Sequence, residues 1–382
     1  MKHLYTFIFF CFFIGIHANC QSINFSDAAD MPAAKSATSS ANDGSNIYVA
    51  NGFSIAGGFT SDVFKYDITN NSWSVLTNAT IGKRFGSAAI VGNNLFIFNG
   101  YTPGNSFNDA LEIVDLATGV VVNPGLVNPQ PAAGAGVSVE GNIIYSFGGN
   151  TGSGFSNKLY AVNTSALTIT ELAPMPIAAE TKGEVVNGKL YIIGGFNGST
   201  SDKIHVYDIS TNTWTDEYTL PQTLSANATA VVGDRIYVLG DFSDQNFTGY
   251  FDTSTNTFTE TTSNLVNRRH ASAEGVNGEL YVMGGNTTSS GTSAIASTQM
   301  ASITLSTEDY NEELFSMYPN PAIDYVSFSK QVEELTLLSL TGRIVKEASN
   351  ITTMDINDLQ KGIYILKLKD QGNSQIIKLV KH

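Results

Sequence analysis

Seven side chains of this 382-residue chain are candidates for chemistry: Lys35, Lys83, Arg84, Arg268, Arg269, Glu180 and His270. When the internal repeats are aligned on their glycine doublets, Arg84 and Arg269 fall at equivalent positions. Lys83 and Arg268 are equivalent just before them, and Lys35 matches Lys83 in the first repeat. These five make up nearly half of the 11 basic residues between positions 21 and 305. Arginine binds a carboxylate through paired hydrogen bonds, so a positive arc of this kind suits an acidic sugar or an acidic peptide side chain as ligand. The same arginines have a second possible use, which is to satisfy carbonyls and inner carboxylates of the fold. Glu180 and Lys182 start the fourth repeat at nearly the same level, and Glu180 or His270 has the acid–base chemistry to move a proton on a bound ligand.

Other chemistries find little support. Cys11 and Cys20 are the only cysteines, and both sit at the end that reads as an export leader, so the mature chain is expected to hold neither a disulfide nor a reactive thiol. His205 and His270 fall in different strands, and His3, His17 and His382 lie outside the repeats, so no histidine cluster has metal-ligand spacing. No cofactor and no metal are expected, and no spacing in the Asp- and Asn-rich loops argues for calcium. Gly194-Gly195-Phe196-Asn197-Gly198 reads as a repeat turn and not a phosphate cradle. The formal net charge is −14, and residues 21 to 305 hold 11 Lys and Arg against 23 Asp and Glu. Nucleic acid is therefore excluded as a partner class, because binding it requires a basic surface.

The elements that position these residues recur about six times. An apolar strand ends in a glycine doublet or its relic, as in Ile47 to Gly52, Leu95 to Gly100, Ile143 to Gly149, Leu190 to Gly195, Ile236 to Asp241 and Leu280 to Gly285. A period of about 45 to 50 residues marks a propeller or a similar array. Each doublet is followed by a hairpin whose strands place two large residues seven apart: Tyr66 and Trp73, Val114 and Val121, Val162 and Ile169, Tyr207 and Trp214, Phe251 and Phe258. Each repeat opens with a strand of small residues, such as Gly86 to Val91 or Ala226 to Val232, which suits an innermost strand where sheets converge on an axis.

These features resemble the kelch repeat, in which an inner strand, a strand ending in Gly-Gly, a strand with an aromatic and an outer strand beginning with Trp make one blade. The expected fold is all-β: a six-bladed kelch-type β-propeller over residues 21 to 305, followed by a small C-terminal β-sandwich. The sixth copy lacks its outer strand. The segment Ser22 to Asp27, followed by Met31-Pro32, occupies the place that Thr168 to Leu172, followed by Met175-Pro176, holds internally, so the N-terminal strand is expected to close blade six. Kelch relatives of the galactose oxidase type need a cross-linked cysteine, which the mature chain lacks. The resemblance leaves two functions. One is a binding module for a glycan or protein ligand at one propeller face. The other is a mutarotase of the kelch sialic acid type, with Arg84 or Arg269 holding the sugar carboxylate and Glu180 or His270 as proton carrier.

The chain ends read as export signals. Residues 1 to 20 combine Lys2, an apolar run from Leu4 to Ile16 and Ala18-Asn19-Cys20, which is the pattern of a cleaved signal peptide. An acylated Cys20 is the alternative. The run is too short for an ordinary membrane span, and no transmembrane segment is expected in the mature chain. After a linker at 306 to 316, residues 317 to 382 carry Tyr318-Pro319-Asn320-Pro321, Thr341-Gly342-Arg343 and Gly362-Ile363-Tyr364 in order. This region resembles the C-terminal sorting domain of type IX secretion. The resemblance implies engagement of that machinery and a protein that is secreted or held at the outer cell surface; separately, the protein is expected to be a monomer.

Overall fold

The computed structural model describes residues 22 to 303 apart from 105 and 289 to 292, and residues 316 to 382 apart from 341, 371 and 372. The expected signal peptide and nearly all of the expected linker lie outside the described residues. The chain divides into two compact units, Met1–Leu305 and Ser306–His382, each with its own core. No α-helix is found among the described residues, and no helix there is long and apolar enough to cross a membrane.

The first unit is a ring of six four-stranded antiparallel sheets. From the axis outward, blade one is Ser39–Asn42, Asn46–Ala50, Val63–Asp67 and Ser72–Thr77; blade two is Ser87–Val91, Asn94–Phe98, Glu112–Asp115 and Val121–Val122. Blade three is Gly136–Glu140, Ile143–Phe147, Leu159–Asn163 and Thr168–Glu171; blade four is Glu180–Val186, Lys189–Phe196, Ser201–Asp208 and Thr213–Leu224. Blade five is Ala228–Val232, Arg235–Leu239, Thr248–Asp252 and Thr257–Glu260. Blade six takes Ser272–Val276, Glu279–Met283 and Thr298–Ser302 from the end of the unit and its outer strand, Ser26–Ala28, from the beginning. The sequence reading treats Ser22 to Asp27 as one strand. In the structure the segment divides, and Ser22–Ile23 pairs in parallel with Thr262–Ser263, at the end of blade five.

The propeller has no single central core. Its buried apolar residues form six clusters, each built from two adjacent blades. Second strands are therefore buried on both faces: Leu95 and Ile97 pack with blade one, while Phe96 and Phe98 pack with blade three. This double burial explains why these strands read as unbroken apolar runs without the alternation of a half-exposed strand. The five residue pairs seven apart sit directly opposite each other across their hairpins.

Two blade junctions carry the same latch. Asn71, whose φ of 46° is tolerated by its short polar side chain, accepts the Tyr66 hydroxyl at 2.8 Å and the Ala29 N–H at 2.8 Å, while the Trp73 indole donates to the Ala29 carbonyl at 2.8 Å. In blade four Asn212 accepts from Tyr207 and Ala173 at 2.7 and 2.8 Å, and Trp214 donates to Ala173. The first latch fastens the strand that closes the ring to blade one.

Inside the ring the inner strands touch in a closed cycle around an axial channel. Glu184 joins three blades there, accepting from Thr229 Oγ1 at 2.7 Å and Ser138 Oγ at 3.2 Å. Glu274 joins blades six and one, accepting from Ser40 Oγ at 2.5 Å and Asn42 Nδ2 at 2.7 Å. Burial pushes the Glu184 carboxyl up to about 7, with the Glu274 charge adding to the shift and the hydroxyl donors and Lys182 opposing it. Burial also raises Glu274.

In the second unit, the long strand Tyr325–Ser339 pairs with Met317–Tyr318 through its first half, with Gly362–Asp370 through its second, and with Ile344–Asp355 along both. Gly362–Asp370 in turn pairs with Asn373–Lys381. Val326, Phe328, Leu335, Leu337, Leu366 and Leu379 form its core. Asn320 of the Tyr-Pro-Asn-Pro element binds the final strand through its side chain, donating to Lys378 O at 2.7 Å and accepting from Val380 N at 2.9 Å.

Replacing Asn71 by Ala removes the acceptor for the Tyr66 hydroxyl and the Ala29 N–H, and is expected to cost about 1–3 kcal/mol of stability in urea unfolding of the full chain. Glu184 sets a pH dependence. Its folded pKa lies above its unfolded value, so its stabilisation is complete below about 4.5 and is lost as pH rises through about 7. Glu184→Gln should flatten the thermal-stability profile across that window and exceed the wild-type melting temperature above pH 7.

Candidate functional site

One mouth of the channel is built by the residues that start each blade. Ala37, Phe85, Gly134, Ala226 and His270 all lie in the left-handed region, with φ between 50° and 67°. Blade four differs: its inner strand carries a register shift between Glu180 and Lys182. Backbone hydrogen bonds join these residues around the axis. Ala37 N donates to His270 O at 2.9 Å, Phe85 N to Ala37 O at 2.8 Å and Gly134 N to Phe85 O at 2.9 Å. Thr181 N donates to Gly134 O at 3.3 Å and His270 N to Ala226 O at 2.8 Å. Among the described residues no such bond links Thr181 to Ala226, so the circle opens between blades four and five.

This geometry separates the five basic residues. Consecutive residues of extended chain point to opposite sides, so the first of each basic pair turns into the protein. Lys35, Lys83 and Arg268 are fully buried and do not face the mouth. The Lys35 ammonium pairs with Asp62 and lies 3.8 Å from the centre of the Phe64 ring. The Lys83 ammonium pairs with Glu112 at 2.7 Å. Arg268 donates to the carbonyls of Val266, Val282, Gly284 and Ser297, and to Ser297 Oγ and Gln299 Oε1, at 2.8 to 3.3 Å. Burial lowers the pKa of all three, that of Arg268 to about 10. They brace blade tops. Arg269 is also occupied, donating to Thr288 O at 2.6 Å and Phe242 O at 3.5 Å with its guanidinium 4.1 Å from the Phe242 ring centre.

Arg84 is different. Its half-buried guanidinium lies 5.5 to 5.9 Å from the rings of Phe53, Phe59, Phe85 and Tyr101. No carboxylate among the described residues comes within ion-pair distance of it, and its Nε is enclosed without a hydrogen-bond partner. Aromatic faces attract a guanidinium and leave its charge unneutralised.

Next to Arg84 in sequence, Phe85 opens onto a cavity of about 700 Å³ at the mouth, whose lining includes Phe196, Phe242, Glu180, Lys182 and His270. The two candidate proton carriers thus share one cavity. Burial lowers the His270 pKa to about 3, reinforced by the charges of Arg269, Lys182 and Arg84, so the imidazole is neutral at neutral pH. Burial raises Glu180, opposed by a hydrogen bond with Asn150 and by the Lys182 charge. Among the described residues no group of three or more His, Cys, Asp or Glu is arranged to hold a metal ion.

Asn227 escapes the sequence reading of the site, and Lys182 enters it only as the neighbour of Glu180. Asn227 occupies the position filled by Thr38, Gly86, Ala135, Thr181 and Ala271 in the other blades, and Lys182, paired with Ile193, occupies the next one, filled by Ser39, Ser87, Gly136, Ala228 and Ser272. A longer polar side chain where the other five repeats keep a small one is a signal visible in the aligned repeats, although its meaning depends on the open link beside it.

Residues 35 to 241 match the KLHDC2/KLHL20/DRC7 Kelch-repeats domain, and residues 316 to 382 match the Secretion system C-terminal sorting domain. Among similar proteins, Kelch domain-containing protein 3 of Homo sapiens is 28% identical over 239 residues, which cover 52% of this chain and 63% of that protein. Kelch domain-containing protein 10 of Rattus norvegicus is 24% identical over 218 residues, 50% of this chain and 53% of that protein. The chain thus spans about half to two thirds of the length of these relatives. The sorting domain indicates export by the type IX system. With a match over more than half its length and six blades of the corresponding pattern, the chain belongs to the kelch-repeat family and carries a C-terminal secretion sorting domain.

Proposed function

We propose that this protein is an exported, monomeric binding module that takes a glycan or protein ligand at the channel mouth, after loss of its leader at Cys20 and delivery to the outer surface or the medium. The observation that carries this reading is the cavity of about 700 Å³, where Phe85, Phe196 and Phe242 meet a few polar groups in a concave site. Such a combination of apolar wall and convergent polar groups is typical of ligand sites. Phe196 and Phe242 remain 39% and 48% exposed, more than packing within the blades requires. Arg84, with its charge unneutralised, adds an anchor for an acidic group at the rim.

The full chain, applied to glycan and peptide arrays, should give saturable binding. Thr200→Trp, a substitution at an exposed cavity residue, should abolish it without lowering the melting temperature, and Arg84→Ala should weaken capture of acidic ligands about tenfold. Equal binding by wild type and Thr200→Trp refutes the mouth as the site.

Isomerisation of an acidic sugar is a second reading, favoured by the presence of Glu180 and a neutral His270 in the same cavity. Proton transfer at the anomeric oxygen requires an acid or base within hydrogen-bond reach. Exchange between sialic acid anomers, followed by NMR with the full chain, separates the two. Acceleration that is lost in Glu180→Gln supports catalysis, and binding without acceleration rejects it.

A further inference from the structure

The open link between blades four and five gathers hydrogen-bond donors that the fold leaves unused. The Asn227 side chain is only 3% exposed, yet among the described residues its Nδ2 has no partner, and a buried amide left unsatisfied is costly enough to call for an explanation. Beside it, the Ala226 N–H lacks, among the described residues, the partner that Ala37, Phe85, Gly134, Thr181 and His270 each have in the preceding blade. Across the gap, Lys182 has no carboxylate within ion-pair distance among the described residues, and Glu184 and Glu180 act on it only through longer-range charge. Lys182, Ala226 and Asn227 all line the mouth cavity.

We propose that Lys182 Nζ, Asn227 Nδ2 and the Ala226 N–H form an oxyanion subsite that holds the carboxylate of an acidic sugar. All three groups donate, so the complementary ligand atom set is acceptor-only with several lone pairs, which a carboxylate supplies. The rest of the cavity fits the sugar body. Phe196 and Phe242 present flat, half-exposed faces to an apolar ring surface, while Glu180, Ser199, Thr200 and Ser225 supply groups that hydrogen-bond to ligand hydroxyls. A confined cavity of this shape also suits a compact ring better than an extended peptide, which calls for a groove or a sheet edge. The site departs from the repeat in two adjacent blades only. Elsewhere the residue aligned with Lys182 is Ser39, Ser87, Gly136, Ala228 or Ser272 and that aligned with Asn227 is Thr38, Gly86, Ala135, Thr181 or Ala271, and these small side chains leave the mouth without a cation or an amide.

The proposal rests on the channel mouth being the binding face, and the test keeps the two apart. The full chain is titrated by calorimetry with D-glucuronate, D-glucose, acetate and an acidic peptide, alongside Lys182→Met, Asn227→Ala and Arg84→Ala variants whose folding is checked by their melting curves. Saturable binding of glucuronate and not glucose, weakened at least tenfold in Lys182→Met and several-fold in Asn227→Ala, is expected. Acetate should compete weakly, as the carboxylate without the sugar body. Equal binding of glucose and glucuronate, or glucuronate affinity unchanged in Lys182→Met, overturns the subsite. Competition by the acidic peptide alone overturns the sugar assignment. Array ligands that are lost in Thr200→Trp but indifferent to Lys182→Met leave the mouth reading standing while the subsite falls, and glucuronate binding lost only in Arg84→Ala moves the anion site to the rim.

Discussion

Everything at the channel mouth depends on a backbone constraint: each blade must start with a turn that aims its N–H at the carbonyl of the blade before. Left-handed φ at Ala37, Phe85, Ala226 and His270 is uncommon for residues with a Cβ, and the surrounding bonds hold it in place. This turn fixes the direction of the residues on either side of it. The residue two before it, Lys35, Lys83 or Arg268, is driven into the blade, and the residue just after it stands at the rim of the channel. The unmatched donors at Ala226 and Asn227 exist because blade four replaces the turn by a shifted register. The site is the defect in an otherwise regular circle.

The buried basic residues show what that regularity costs and how it is offset. A lysine or arginine removed from water is destabilising unless each donor finds an acceptor. Lys35 and Lys83 each meet a carboxylate, and Arg268 meets carbonyls and side-chain oxygens in number. Truncating any of them would leave its partners unpaired inside a blade top. Arg84, held by ring faces alone, is exempt from this internal chemistry, which makes it a different kind of residue from its equivalent Arg269.

Much of the fold was legible in the residues. Hairpin spacing put Tyr66 opposite Trp73 and Phe251 opposite Phe258, because a fixed turn length sets a fixed register. Unbroken apolar runs marked strands packed on both faces. The N-terminal segment was harder: Ser22 to Asp27 has enough alternation for one strand, and only the position of Thr262 and Ser263 divides it. The site was less legible for a plain reason. Alignment of repeats shows that Lys83 and Arg84 recur as a pair, but adjacent residues face opposite ways, and the repeat alone does not say which side is the mouth. Lys182 and Asn227 acquire meaning only when the missing bond between their blades is seen.

The outer strand of blade six has a consequence for the order of events. Ser26 and Met300, paired in the finished ring, lie 274 positions apart in the chain, so the strand Ser26–Ala28 has no partner until the last blade has been made. Until then the sixth sheet is short of a strand, and blades five and one have no finished wedge between them. Long-range pairing of this kind is slow to find because the intervening chain must be ordered first. Closing the ring is thus the propeller pairing that spans the longest stretch of chain, and it completes the sixth sheet.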